Sequence, residues 1–198
     1  MACQTHTLLS NDWIRLEPLA LHHENGLRLA ASDGELWKIR VTSVPEPDQT
    51  RQYIENALAM QQDGKRLPYA VIDCASNKVL GSSSYHDILP DVKRLEIGYT
   101  WYAKSVQRTH VNTTAKLLLM THAFETLGYN VVGWRTDNFN FASQKAIERL
   151  GAKKDGVIRG QALRRDGSIR DTVMYSMTRD EWPHAKAILL CALKKHEP

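Results

Sequence analysis

Residues 95–127 constrain the fold most, because two kinds of periodicity follow each other there across a short turn. Apolar and polar residues alternate up to Tyr102, which predicts a strand. A broad apolar face over 113–127 predicts a buried helix after the turn. A strand that leads into a helix N-terminus presents free backbone N–H groups and the positive end of the helix dipole. We therefore expect an anion, most often a phosphate, at this turn.

The rest of the pattern predicts further strands and helices and no internal repeat. The irregular segment 33–47 is expected to contain one short helical turn near Leu36. An antiparallel run followed by a βαβ crossover favours an α/β domain whose mixed sheet carries helices on both faces. The length fits a single domain over residues 1–198. The predicted strands are 13–18, 67–74, 79–86, 94–102, 130–136, 153–163 and 168–178, and the predicted helices are 21–32, 48–62, 113–127, 140–150 and 181–195.

Composition and charge exclude several function classes. The net charge of +4 and the pI of about 9.0 are only mildly basic, and the basic pairs at 153–154, 164–165 and 194–195 stand outside any long basic run. No aromatic-rich RNA-binding motif accompanies them, so direct nucleic-acid binding is not expected. No apolar run approaches the roughly 18 residues of a membrane helix, and no secretory signal is visible.

The cysteines and histidines give no metal or disulfide pattern. Cys3, Cys74 and Cys191 are odd in number and far apart, which is typical of reduced thiols in a cytoplasmic protein. The eight histidines are scattered, and no pair shows ligand spacing beside a carboxylate. We expect no metal.

The order of the elements and the residues at their junctions resemble the Gcn5-related N-acetyltransferase (GNAT) family. The branch that looks closest is the RimJ/RimL type, whose named members acetylate the N-termini of ribosomal proteins. The resemblance implies a mostly antiparallel sheet of about seven strands, with a central splay that holds the arm of coenzyme A. Four segments carry it, namely 95–101, 107–116, 140–151 and 170–173 followed by Glu181-Trp182-Pro183.

The resemblance implies that the turn binds the pyrophosphate of coenzyme A. The family turn reads Gln or Arg, two residues, Gly, one residue, then Gly or Ala, and its slots here hold Gln107, His110 and Asn112. Asn112 can adopt the left-handed backbone region. His110 either opens the turn or contacts phosphate through its imidazole. The implied binding residues are Gln107, Arg108, Thr109, His110, Val111, Asn112 and Thr113.

The same resemblance assigns the pantetheine arm to the strand before the turn. Ile97, Gly98 and Tyr99 would line the arm, and Gly98 would leave room for it. Asn140 is a good N-cap in its own right, with Ser143 in the first turn of the helix. In the family the Asn side chain would also bond the pantetheine, and the Ser hydroxyl would stabilise or protonate the leaving thiolate.

Glu96 is the candidate general base, since a carboxylate at the cleft can take the proton that an ammonium substrate must lose. A structural ion pair with a neighbouring Arg or Lys is the alternative. His86 and Tyr175 are other possible bases, and Asp171 is expected to be an ion-pair or turn anchor. Strict alternation would place Glu96, Gly98 and Thr100 on one face of the strand and Leu95, Ile97, Tyr99 and Trp101 on the other.

The resemblance implies an acetyl-coenzyme A-dependent N-acyltransferase. A primary amine, either a protein N-terminus or a small amine, would attack the thioester directly in a ternary complex, without a covalent enzyme intermediate. One alternative is a non-catalytic coenzyme-binding or regulatory protein, because His110 and Asn112 replace the glycine-type residues. Another is an enzyme that uses a bulkier acyl donor. Segments 21–62 and 153–178 would shape the acceptor cleft, and the acceptor and a possible homodimer stay open.

Overall fold

Eight strands form a single sheet in the order β1-β2-β3-β4-β5-β6-β8-β7 in the computed structural model, which describes residues 6–196. All neighbouring strands are antiparallel except β5 and β6. The strands are β1 (Leu9–Ser10), β2 (Ile14–Pro18), β3 (Arg66–Asp73), β4 (Val79–Leu89), β5 (Arg94–Tyr102), β6 (Val131–Asp137), β7 (Lys153–Leu163) and β8 (Ile169–Thr178). The α-helices are α1 (Glu24–Ser32), α2 (Thr50–Gln62), α3 (Val111–Thr121), α4 (Phe141–Arg149) and α5 (Trp182–Leu193).

The predicted elements agree closely with this architecture, including a short 3-10 turn at Leu36–Lys38. The strand β1 was not predicted, because two residues are too few to show a period; it raises the strand number from about seven to eight. The helix predicted over 113–127 begins at Val111 and continues as a π turn, His122–Thr126. Cys3 lies outside the described residues.

Two hydrophobic cores lie on opposite faces of the sheet, because successive side chains of a strand point to opposite sides. Tyr69 and Val71 of β3 pack with side chains of α3, α4 and α5. Ala70 and Ile72 of the same strand pack with side chains of α1 and α2. The prediction of helices on both faces is therefore confirmed.

The sheet splits at its centre. The parallel strands β5 and β6 pair only between Arg94–Glu96 and Val131–Gly133, although β5 continues to Tyr102 and β6 to Asp137. We call the space between the unpaired parts the wedge. The predicted central splay is confirmed, and the strand edges that face the wedge are free to bond a ligand.

A β-bulge in β5 breaks the expected alternation. Gly98 pairs with Ser84, but the next pair joins Trp101 to Ser82, so β5 carries one extra residue. Tyr99 absorbs this residue with a left-handed backbone, φ 51°.

The bulge corrects three predicted side-chain directions. Trp101 packs in the α1–α2 core, whereas Ile97 packs in the opposite core. Thr100 bonds Lys116 of α3, so it lies on the face away from Glu96. The Tyr99 ring lies beside His86, whose strand position is opposite Glu96. Alternation therefore holds only as far as Gly98.

Candidate active site

The turn between β5 and α3 presents free backbone donors. The first intrahelical bond is made by the N–H of Thr114 to the carbonyl of His110, at 2.9 Å. Within residues 6–196 no partner is found for the backbone N–H groups of Arg108, Thr109, Asn112 and Thr113. Together with the helix dipole, this is the arrangement that the predicted anion site requires.

His110 fits the glycine slot because it takes an ordinary backbone conformation. It is the N-cap of α3 with φ −64° and ψ −23°, and its ring lies 5.2 Å from the Trp13 ring. The left-handed residue of the turn is Arg108, φ 64°. Asn112 lies inside α3, so the expectation that it adopts the left-handed region is wrong. The chain turns at Arg108, two residues before the glycine slot, so His110 in that slot does not need a positive φ.

Side chains brace this turn and leave one cation exposed. The Gln107 amide donates to the carbonyl of Tyr102 at 3.0 Å. The Thr109 hydroxyl donates to the carbonyl of Val106 at 2.7 Å and accepts the N–H of Val111 at 3.3 Å. Arg108 is exposed and makes no hydrogen bond or ion pair within the described part of the chain. Its guanidinium is therefore available to a phosphate.

Asn140 lies at the same end of the wedge. Both β5 and β6 run toward this end, since they are parallel, and α4 follows β6. The side-chain Oδ1 of Asn140 accepts the N–H of Ser143 at 3.1 Å, as predicted for an N-cap, and its side-chain Nδ2 donates to the backbone carbonyl of Val41 at 3.4 Å. Ser143 is half-buried in the first turn of α4.

The α1–α2 face of the wedge holds a polar cluster around Glu96. This carboxylate is 3% exposed and accepts a hydrogen bond from Arg135 Nε at 2.7 Å, with Arg94 at 3.6 Å. Arg135 also bonds Asp87. The structural ion pair that the sequence left open is therefore present, and any catalytic role of Glu96 is an additional one.

His86 lies between the two carboxylates. Its Nδ1 is 3.4 Å from Asp87 and its Nε2 is 4.0 Å from Glu96. Burial lowers the pKa of His86 from its ordinary value of 6.5, against the attraction of the two carboxylates. The imidazole is accordingly neutral near pH 7 and can accept a proton.

The structure gives a steric reason for glycine at position 98 that the sequence did not reveal. A Cβ at this position would overlap Nε2 of His86. The Tyr99 ring lies 5.2 Å from the His86 ring, and the Arg66 guanidinium covers the other side of Tyr99 at 3.9 Å. The missing side chain thus makes room for an imidazole at the wedge.

The two segments expected to shape the acceptor cleft touch each other. Arg165, in the β7–β8 turn, donates to the carbonyls of Trp37 and Val44. Arg40 donates to Ser168 at 2.7 Å and pairs with Asp166 at 2.7 Å. We call these contacts the bridge. It joins residues more than 120 positions apart, so no local sequence signal could have predicted it.

Tyr175 and Asp171 have structural roles. The Tyr175 hydroxyl is bonded to Glu148 at 2.8 Å, and burial raises the pKa of the phenol to about 12. Asp171 accepts the N–H of Gly160 at 2.8 Å, which confirms its prediction as an anchor. Trp134 was not singled out from the sequence; it follows the last residue of β6 that pairs with β5, and its buried indole N–H has no partner in the described range.

In the part of the chain that the structure describes, two groups of side chains are close enough together to hold a metal ion: Glu17 with His22 and His23, and His86 with Asp87 and Glu96. In the first, Arg15 bonds Glu17 at 2.6 Å; in the second, Arg135 bonds both carboxylates. A guanidinium on the carboxylate opposes a cation, so we propose no metal at either site.

Residues 14–153 match the model of the acetyltransferase (GNAT) domain, and the chain belongs to this family of N-acetyltransferases. A GCN5-related N-acetyltransferase from Brucella melitensis is 28% identical with a TM-score of 0.84, over 94% of this chain and 85% of that one. The uncharacterized N-acetyltransferase YoaA of Bacillus subtilis is 22% identical, over 67% of this chain and 73% of YoaA.

The fold is shared with RimL, a ribosomal L7/L12 alpha-N-protein acetyltransferase whose structure was determined in complex with coenzyme A. The TM-score is 0.73 at 20% identity, over 87% of this chain and 98% of RimL. At this identity the likeness concerns the fold alone. No helix within residues 6–196 is long and apolar enough to cross a membrane.

Proposed function

We propose that this protein transfers an acetyl group from acetyl-coenzyme A to a primary amine, either a protein N-terminus or a small amine. One observation carries the proposal: the wedge between β5 and β6 opens beside a turn with four backbone N–H groups that have no partner within residues 6–196. The family of the chain and the coenzyme A complex of RimL support it. We also propose that residues 1–198 act as one cytoplasmic domain.

The donor would lie across the turn and the wedge. The N–H groups of residues 108, 109, 112 and 113 and the Arg108 guanidinium would hold the pyrophosphate. The edge of β5 at Ile97–Tyr99, which does not pair with β6, would pair with the pantetheine arm, with Asn140 on the opposite side of the wedge. When bound, the coenzyme supplies the acetyl thioester.

The reaction needs one group that accepts a proton from the amine nitrogen and another that donates a proton to the leaving sulfur. These two groups would lie on opposite sides of the wedge. The amine nitrogen forms a bond to the carbonyl carbon, and the carbon–sulfur bond breaks. Glu96, which is paired with Arg135, would attract the ammonium group, and a proton of that group would pass to Glu96 or to His86 beside it. Ser143 would donate a proton to the leaving thiolate and regain one from the nitrogen, which loses its second proton as the amide forms.

The non-catalytic alternative rests on His110 and Asn112. Both residues have helical backbones, and the left-handed residue is Arg108. A positive φ is therefore not required at either residue, which supports the catalytic proposal.

Calorimetric titration with acetyl-coenzyme A, followed by an acceptor screen, tests the proposed function. We expect one micromolar site per chain. Coenzyme A release should then be stimulated by a peptide with a free N-terminus or by a polyamine, but not by the same peptide with a blocked N-terminus. Absence of binding would contradict the proposal. Binding without transfer to any amine would favour the regulatory alternative.

A further inference from the structure

Lys116 is a buried amine for which residues 6–196 provide no acidic hydrogen-bond partner. It is 5% exposed, and its Nζ donates to the Thr100 hydroxyl at 2.7 Å and to the Ser83 hydroxyl at 3.3 Å. The two hydroxyls are themselves 2.7 Å apart. No carboxylate is among the partners described for this residue. Lysines are almost never buried in this way unless paired, because the ammonium loses its hydration.

The position of Lys116 connects the two parts of the proposed coenzyme site. Thr100 directly follows Tyr99, the left-handed residue of the bulge at the wedge. Lys116 itself lies only four residues after Asn112, whose N–H is one of the free donors. At 1.5 Å per residue the two are about 6 Å apart along the helix axis. The Lys116 side chain thus joins the helix that begins at the proposed pyrophosphate turn to the bulge beside the proposed pantetheine site.

We propose that Lys116 is a positioning residue that links α3 to the bulge of β5 and takes up one proton from solvent when the anionic coenzyme binds. This inference rests on the proposed function. A pyrophosphate at the start of α3 would add negative charge close to the Lys116 amine, whose hydrogen-bond partners within residues 6–196 are two hydroxyls. This charge would favour the ammonium form of the amine. The ammonium would then hold Thr100, and with it the bulge, in place.

The electrostatic surroundings fit a neutral amine in the free protein. Burial lowers the pKa of Lys116 to about 7, so a large part of it is uncharged above this pH. Tyr85 of β4 and Tyr102 of β5 also belong to the core beneath α3, and burial raises the pKa of both phenols, so they stay neutral. His110 at the start of the helix and His122 just after it are the remaining titratable neighbours along this segment.

Proton uptake on binding can be measured directly. Coenzyme A is titrated calorimetrically into the protein at pH 8 in phosphate, HEPES and Tris, whose protonation enthalpies differ. The slope of the observed heat against buffer enthalpy gives the number of protons taken up. We expect a slope of about 0.5 to 1 for the natural chain, and an affinity that falls as the pH rises from 7 to 9.

Matched variants separate Lys116 from its neighbours. Lys116→Met keeps the length and removes the proton site, so the slope should fall to near zero; thermal melting checks that it folds. Lys116→Arg keeps a permanent charge, so the slope should vanish and the affinity should no longer fall between pH 7 and 9. His110→Gln should retain the proton uptake of the natural chain.

Three results would overturn the inference. Binding by the natural chain with a slope of zero would show that Lys116 does not change its protonation. A slope that persists in Lys116→Met would assign the proton to another group. No binding of coenzyme A in any buffer would overturn the proposed function, and this inference with it, and is recognised by the absence of heat from the natural chain.

Discussion

At the residue scale, Gly98 is needed because His86 occupies the space of a side chain. Gly98→Ala should displace the imidazole and lower the acetyl-transfer rate by at least tenfold, with a loss of stability of about 1–3 kcal/mol. Gly156→Ala is the control, since nothing lies within 4 Å of its added Cβ. Urea unfolding and acetyl transfer by the two variants check this. Equal rates in both would contradict the role given to Gly98.

The identity of the proton acceptor predicts a pH profile. A base must be unprotonated, so if His86 accepts the proton, kcat/KM should fall as the pH drops through its pKa, which burial places below 6.5. In His86→Gln this fall of kcat/KM at low pH (the acid limb of the profile) should be absent, and most of the acetyl-transfer rate should be lost. Glu96→Gln should keep the limb and bind the amine more weakly. If the limb disappears in Glu96→Gln but not in His86→Gln, Glu96 is the acceptor.

Ser143 should affect chemistry more than binding. Ser143→Ala removes the proposed proton donor but keeps the backbone N–H that bonds Asn140. We expect kcat to fall about 10- to 100-fold while the Kd for acetyl-coenzyme A changes less than threefold. Asn140→Ala is the comparison, because loss of the cap costs about 1 kcal/mol of stability. Unchanged turnover in Ser143→Ala would refute its role.

At the element scale, the bridge joins segment 36–44 to the β7–β8 turn. Arg165→Ala removes the hydrogen bonds to Trp37 and Val44 and should loosen the acceptor side of the wedge. We expect KM for the amine to rise several-fold, with little change in the Kd for acetyl-coenzyme A. The exposed Arg159 of β7 provides the control, Arg159→Ala. An equal rise in both variants would show that charge, not the bridge, is responsible.

Most of the elements were predictable because each is long and periodic. The helix α4, for example, is bounded by Asn140 and Gly151, which are local signals. The two features that were not predicted have different causes. The strand β1 is too short to have a period, and the bulge at Tyr99 depends on how β5 pairs with β4.

At the scale of the whole molecule, all eight strands belong to one hydrogen-bonded sheet from β1 to β7, although β5 and β6 splay apart, and a core lies on each face. We therefore expect a single cooperative unfolding transition. Acetyl-coenzyme A at 100 times its Kd should stabilise the protein by about 2.7 kcal/mol and raise the transition temperature. Differential scanning calorimetry with and without the ligand measures this. Two separate transitions would contradict the single domain.

The sequence by itself determined the order of the elements and the turn before α3, because these depend on periodicity and on residues that are neighbours in the chain. The splayed sheet was implied by the resemblance to the GNAT family. Only the tertiary structure decided which face Thr100 and Trp101 take, that Arg135 pairs with Glu96, and that His86 fills the space above Gly98. It also placed the lone amine of Lys116 beneath the bulge. Contacts of this kind join residues that are distant in sequence, and strand register and burial determine them.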